Sequence, residues 1–255
     1  MNCRITTIAR YTLLEAARTR LPLLVLIALL ALLGASFFVE AISVTEGARI
    51  QTGFYAAGAR LAAVFIAGAF VLVSITRELD DKGMDVLLAL DLPRSHYILG
   101  KLGGFAAIAA LIAFAAALPL AWLAGTSALQ WMLSLGLELA IVVALALFCV
   151  VTFSQLVPAA SFILAFYLLA RALTAIRLMG AHPLIDADSA SHEVIRFTVE
   201  GLALVMPALD AWTQTAWLVN EPASWSALIQ LSGQSALYVA LLTAAAMFDF
   251  HRKNF

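Results

Sequence analysis

The chain has 255 residues, 64% of them hydrophobic and 12% charged, with 15 Lys and Arg against 16 Asp and Glu. A mean hydropathy of +0.99 leaves more apolar surface than a soluble fold of this size can hide, so the composition is that of an integral membrane protein and argues against a nucleic-acid partner. The net charge of -1 carries little information, because in a membrane chain the charges are sorted by position.

The first twenty residues gather Ile5, Ile8, Ala9, Thr12 and Ala16 on one side of a helix and Arg4, Arg10, Glu15 and Arg18 on the other. This pattern predicts an interfacial helix over 1–20, lying along the membrane surface. Arg18 and Arg20 followed by LPLLVLIALLALLGASFF have the outline of a secretory signal. The apolar run is long and further runs come after it, so it is expected to remain as an uncleaved anchor.

Crossing about 30 Å of hydrocarbon takes roughly 20 helical residues. Six runs approach that length: Leu21 to Val39, Ala56 to Thr76, Leu102 to Ala124, Leu129 to Val151, Phe153 to Ala170 and Ala227 to Phe248. They are continuously apolar and lack the alternation of a barrel strand. Helices are the alternative that satisfies every backbone group within one segment, so the expected fold is all-α: a single polytopic domain over 1–255 with six transmembrane helices.

Lys and Arg collect on the cytoplasmic side of a membrane. With the N-terminus inside, the inner segments hold Arg4, Arg10, Arg18, Arg20, Arg77, Lys82, Arg94, Lys101, Arg252 and Lys253, and the outer ones Arg49, Arg60, Arg171, Arg177 and Arg196. Both termini are therefore expected inside. Thr152, Ser154 and Gln155 before Pro158 predict a tight inner turn that makes the fourth and fifth helices antiparallel neighbours. Residues 171–226 mix acids with apolar pieces, and Glu200, Pro207 and Asp210 interrupt the stretch too often for a clean crossing. Broken helices at the outer face are expected there.

No catalytic signature is present. His192-Glu193 lacks a second His at zincin spacing, and Gly100-Lys101 lacks the other parts of a phosphate-cradling loop. The cysteines, Cys3 and Cys149, are expected to form neither a disulfide nor a thiolate metal site. His182, Asp186, Asp188, His192 and Glu193 match no ligand motif, and no metal site is assigned to them. Glu138 lies inside the fourth run, where a carboxylate needs a cavity or a partner. It either lines a transport path or pairs with Arg60 or Arg171 for packing. Gln230, Gln234 and Tyr238 recur at helical spacing in the last run, a pattern for interhelical hydrogen bonds. Gly100, Gly103 and Gly104 are expected to allow close helix approach.

Between the second and third runs stands a strongly charged segment, 77–101, carrying Arg77, Lys82, Arg94 and Lys101 against Glu78, Asp80, Asp81, Asp85 and Asp91. Its residues Glu78, Asp80, Asp81, Gly83, Asp85, Leu87, Leu88, Pro93, Ser95, Gly100 and Lys101 resemble the inner-face signature of ABC-2 type transporter permeases. PALDAWTQTAWL, Pro207 to Leu218, also looks like that family's outer-loop segment. The departures are Met84, where a small hydroxyl residue is frequent, and Asp85, where glutamate is usual. The resemblance implies a permease subunit of a bacterial-type inner membrane, not an enzyme by itself. It implies a cytosolic ATPase subunit that holds ATP and Mg on another chain, a second permease copy, and export or outward flipping of a substrate. A short coupling helix bounded by Gly83 and Pro93 would then dock into the ATPase through Leu87 and Leu88, with Glu78, Asp81, Asp85 and Lys101 setting register. Two other classes fit the same composition. One is a membrane scaffold or assembly factor that recruits a soluble protein. The other is an ion-coupled secondary transporter working through Glu138, for which no second ionisable partner within the spans is evident from the sequence.

Overall fold

A computed structural model of the chain describes residues 2–80, 93–181 and 190–252, with side chains described except at 2–4, 180–181, 190–196 and 204. Among these residues there are helices and no strands. The long ones are α2 (Leu21–Ile42), α3 (Gly47–Asp80), α4 (Arg94–Ala124), α5 (Ser127–Phe153), α6 (Leu156–Ala181) and α9 (Trp225–Arg252). All six are long and apolar enough to cross a membrane, and they match the six runs expected from sequence in number and order, five of them contained whole. α1 (Asn2–Arg18) precedes them, and α7 (Ala190–Val205), a 3-10 turn at Leu209–Ala211 and α8 (Ala216–Val219) separate α6 from α9.

Consecutive spans alternate in direction. The end of the bundle that carries α1 is the proximal end, and the opposite one the distal end. α3 has 34 residues and is about 50 Å long, well beyond the hydrocarbon thickness of about 30 Å, so it extends past the apolar layer and carries Arg49 and Arg60 as well as Glu78. The fourth and fifth spans meet as expected in a tight turn, where Ser154 takes a left-handed conformation (φ 56°) and its N–H donates to the Val150 carbonyl at 2.9 Å.

Two boundaries differ from expectation. Phe153 closes α5 instead of opening the next helix, which begins at Leu156 and runs through Arg171 to Ala181. The apolar count stops at Arg171 because it reads a charge there, whereas the folded chain supplies that charge with partners. Residues 171–181 therefore belong to a helix, and the broken stretch expected over 171–226 is confined to residues beyond Ala181.

α5 is the axis. Its span is 72% buried, against 11% for α2, because α3, α4, α6 and α9 surround it while α2 leans mainly on α3. α1 lies across α4 on a notch cut by glycine. A Cβ on Gly100 would stand 2.7 Å from Ile8 Cβ, and one on Gly104 would stand 2.7 Å from Thr12 Cβ and 3.1 Å from the Ala9 carbonyl oxygen. Only residues without a side chain admit this approach. The face of α1 that is turned inward, with Thr12 and Ala16 buried and Ile5, Ile8 and Ala9 half-buried, is the apolar face read from its helical spacing.

Candidate functional site

At the proximal end a polar cluster joins three helices. Glu78 of α3 accepts a hydrogen bond from the Tyr97 hydroxyl of α4 at 2.5 Å, and its other oxygen is ion-paired with Lys101. Lys101 also faces Glu15 of α1 at 3.7 Å, and the Ser74 hydroxyl donates to Glu15 at 2.8 Å. Its ammonium lies 5.6 Å from the centre of the Phe105 ring, a favourable place for a cation in an apolar setting. Two carboxylates thus share one ammonium that is almost entirely removed from solvent, at 5% exposure.

The same end is tied to α9. Tyr97 stacks on Phe250 with ring centres 5.7 Å apart, and the Arg94 guanidinium donates to the carbonyls of Phe250 and His251 at 3.0 and 3.1 Å. Thr152 at the end of α5 donates to Asp249 at 2.6 Å. Residues 81–92 therefore leave α3 and rejoin α4 from a base in which both helices are cross-linked by polar side chains.

Of the residues expected to dock a partner, Asp81, Gly83, Asp85, Leu87 and Leu88 lie outside the described residues. Pro93 is exposed and caps α4, and its carbonyl accepts from the His96 N–H at 2.9 Å. Lys101 is buried, with its charge turned inward to Glu78 and Glu15, so it braces the base of the segment. Glu78 is likewise engaged with Tyr97 and Lys101. Glu15, assigned by spacing to the solvated side of α1, in fact points at Ser74 and Lys101. A lone acid in an otherwise basic helix was the available sign.

A second cluster occupies the distal half. Glu138 of α5 is fully buried. Its Oε1 accepts from the Tyr167 hydroxyl at 2.9 Å and faces the Arg171 guanidinium at 3.4 Å, while Oε2 makes no hydrogen bond. The same Arg171 nitrogen donates to the carbonyls of Leu209 and Trp212 at 2.6 and 3.1 Å, and Arg60 of α3 donates to the Thr213 carbonyl at 3.2 Å. From below, Ser134 Oγ accepts the Thr213 N–H at 2.8 Å, and the Trp212 indole donates to Ser235 of α9 at 2.8 Å. Leu209, Trp212 and Thr213 are each no more than 1% exposed. Residues 209–213, a 3-10 turn followed by extended backbone at Trp212, thus form a plug sunk into the distal end, its free carbonyls taken up by arginine and the Thr213 N–H by Ser134, as irregular backbone at membrane depth must be.

Compared with known proteins, the chain matches no family model and no curated sequence.

Glu138 has the Arg171 partner weighed from sequence and lines none of the described clefts. A cleft of about 270 Å³ between α3 and α6, floored by Gly68 and walled by Val64, Leu72, Ser161 and Tyr167, reaches Glu138 only through the Tyr167 hydroxyl. Arg171, which the apolar run stopped short of at Ala170, lies inside α6, which continues eleven residues further to Ala181. Gln230 and Gln234 are exposed, and among the described residues the expected interhelical bonds do not arise from them. α9 is instead bound to the bundle through Ser235 and through the Arg94 contacts.

Among the described residues no three His, Cys, Asp or Glu side chains converge as metal ligands. His182, Asp186 and Asp188 lie outside the described residues, and His192 and Glu193 lie on α7.

Proposed function

We propose that the chain is the membrane-spanning permease subunit of an ABC-2 type transporter. In this role two copies enclose the substrate path, and a separate cytosolic ATPase subunit supplies ATP hydrolysis for export or outward flipping. The membrane would be a bacterial-type inner membrane, with the proximal end and both termini cytoplasmic. The substrate path would run along the cleft between α3 and α6, behind which Glu138 acts as a positioning residue through Tyr167.

The observation that carries this proposal is the braced base of segment 77–101. A motor that pushes on residues 81–92 does useful work only if both ends of the segment move as one body with the helices. The pairs Glu78–Lys101, Glu78–Tyr97 and Glu15–Lys101 join α3, α4 and α1 at that point, and the Arg94 bonds extend the link to α9. A scaffold that recruits a protein and moves nothing has no need of such a brace.

The test is co-purification. Leu87→Asp combined with Leu88→Asp should leave the protein inserted in the membrane while the ATPase subunit is lost from the detergent complex. Undiminished recovery of the ATPase with the doubly substituted chain removes the docking argument.

One observation favours a second proposal, an ion-coupled carrier: the buried Glu138 and the half-buried Arg171 make an intramembrane ionisable couple. That mechanism requires transport driven by an ion gradient without nucleotide and its loss in Glu138→Gln. The permease mechanism requires nucleotide turnover.

A further inference from the structure

α2 crosses the membrane almost alone. It leans on α3 and makes little contact with α4, and the gap between α2 and α4, closed at its proximal end by α1, is a groove of about 540 Å³. Its walls are Leu13 and Ala16 of α1, Pro22 and Leu29 of α2, and Ile112 and Leu118 of α4, with no charged residue among the lining side chains. Along α2 the lining runs from Leu21 to Leu33 and along α4 from Ile108 to Pro119, in each case about 17 Å at 1.5 Å per residue. One leaflet of a bilayer is about 15 Å of hydrocarbon. The groove therefore has the length of a single leaflet and begins at its surface.

An acyl chain laid along the groove fills that length, and the charge at its mouth selects among occupants. The mouth carries charge of one sign. Arg18 in the last turn of α1 and Arg20 in the corner before Leu21 are both exposed, as is Arg10 two turns earlier. The one acid of this helix, Glu15, is turned away toward Ser74 and Lys101.

We propose that this groove is a binding site for an anionic phospholipid of the proximal leaflet, with one acyl chain between α2 and α4 and its phosphate held by Arg18 and Arg20. Apolar walls of leaflet length select a chain, and clustered arginines at the membrane surface select a negative headgroup. The site stands whether or not the transport proposal does.

The test uses the full-length protein equilibrated with vesicles of equal parts phosphatidylglycerol and phosphatidylcholine of identical acyl chains, and then native mass spectrometry. One phosphatidylglycerol should be retained per chain in preference to phosphatidylcholine. Arg18→Gln with Arg20→Gln should reduce that retention by about fivefold or more, and Arg18→Lys with Arg20→Lys, which keeps both charges, should restore it. Ala115→Trp, which fills the groove and leaves the arginines intact, should abolish it. Equal retention of the two lipids overturns the proposal, as does survival of the bound lipid in Ala115→Trp. A disulfide between two Leu26→Cys copies that phosphatidylglycerol does not suppress also overturns it, in favour of a second copy as occupant.

Discussion

Glu138 and Lys101 pose one problem at opposite ends of the bundle: a charge removed from water and held by a small set of partners. A buried pair adds little net stability, but deleting one member leaves the other uncompensated and costs about 3–5 kcal/mol. Glu138→Ala leaves Arg171 and Arg60 without the carboxylate between them, so a loss of about 3 kcal/mol is expected, measured by denaturation in detergent. Glu138→Gln keeps the shape and an oxygen for the Tyr167 hydroxyl, and a loss of about 1 kcal/mol is expected from the weaker bond to Arg171. A thermal midpoint unchanged in Glu138→Ala would show that the pair does not hold the plug. The sequence made Arg171 a candidate partner for Glu138. It could not supply Tyr167, Ser134 or Thr213, because none of these side chains looks unusual until the helices are brought together.

For the elements, the decisive contact is the seat of α1 on α4. Gly104→Leu would drive a side chain into the Thr12 Cβ and the Ala9 carbonyl. Backbone cannot step aside as a flexible side chain can, so overpacking here is expected to cost about 1–3 kcal/mol and to lift α1 from the bundle. Lifting it separates Glu15 from Lys101, and protease cleavage within α1 should become faster. Cleavage at the wild-type rate would mean that α1 is not held by the notch. The three glycines were legible as a packing surface from their spacing in an alanine-rich run. Which element they receive was not, because α1 and α4 are separated by two whole spans. The same limit explains Glu15, since helical periodicity divides a helix into faces but cannot say that a neighbour stands beside the polar one.

For the whole molecule, the alternation of six spans puts the start of α1, the ends of α3 and α9, and the start of α4 at one end. Their sidedness is set by basic residues and is open to direct measurement. In the proposed orientation, Gly83→Cys in a chain with Cys3 and Cys149 replaced by serine should react with a membrane-impermeant maleimide only after the cells are broken. Labelling in intact cells would place segment 77–101 outside, where no cytosolic motor reaches it. α2 and α9 keep most of their spans exposed, at 11% and 22% buried, so their outer faces are covered by lipid or by another chain.

The number and approximate limits of the membrane helices come from the sequence alone, because hydrocarbon length and the need to satisfy every backbone group act within one segment. The tight turn at Ser154 and the apolar face of α1 were legible for the same reason, since both depend on residues a few positions apart. Tertiary structure alone decided that Lys101 faces inward, that Arg171 belongs to a helix, and that residues 209–213 form a plug. A charge at membrane depth is tolerable only with partners, and those partners lie far along the chain, 153 positions away for Arg60 and Thr213, so no local pattern can announce them.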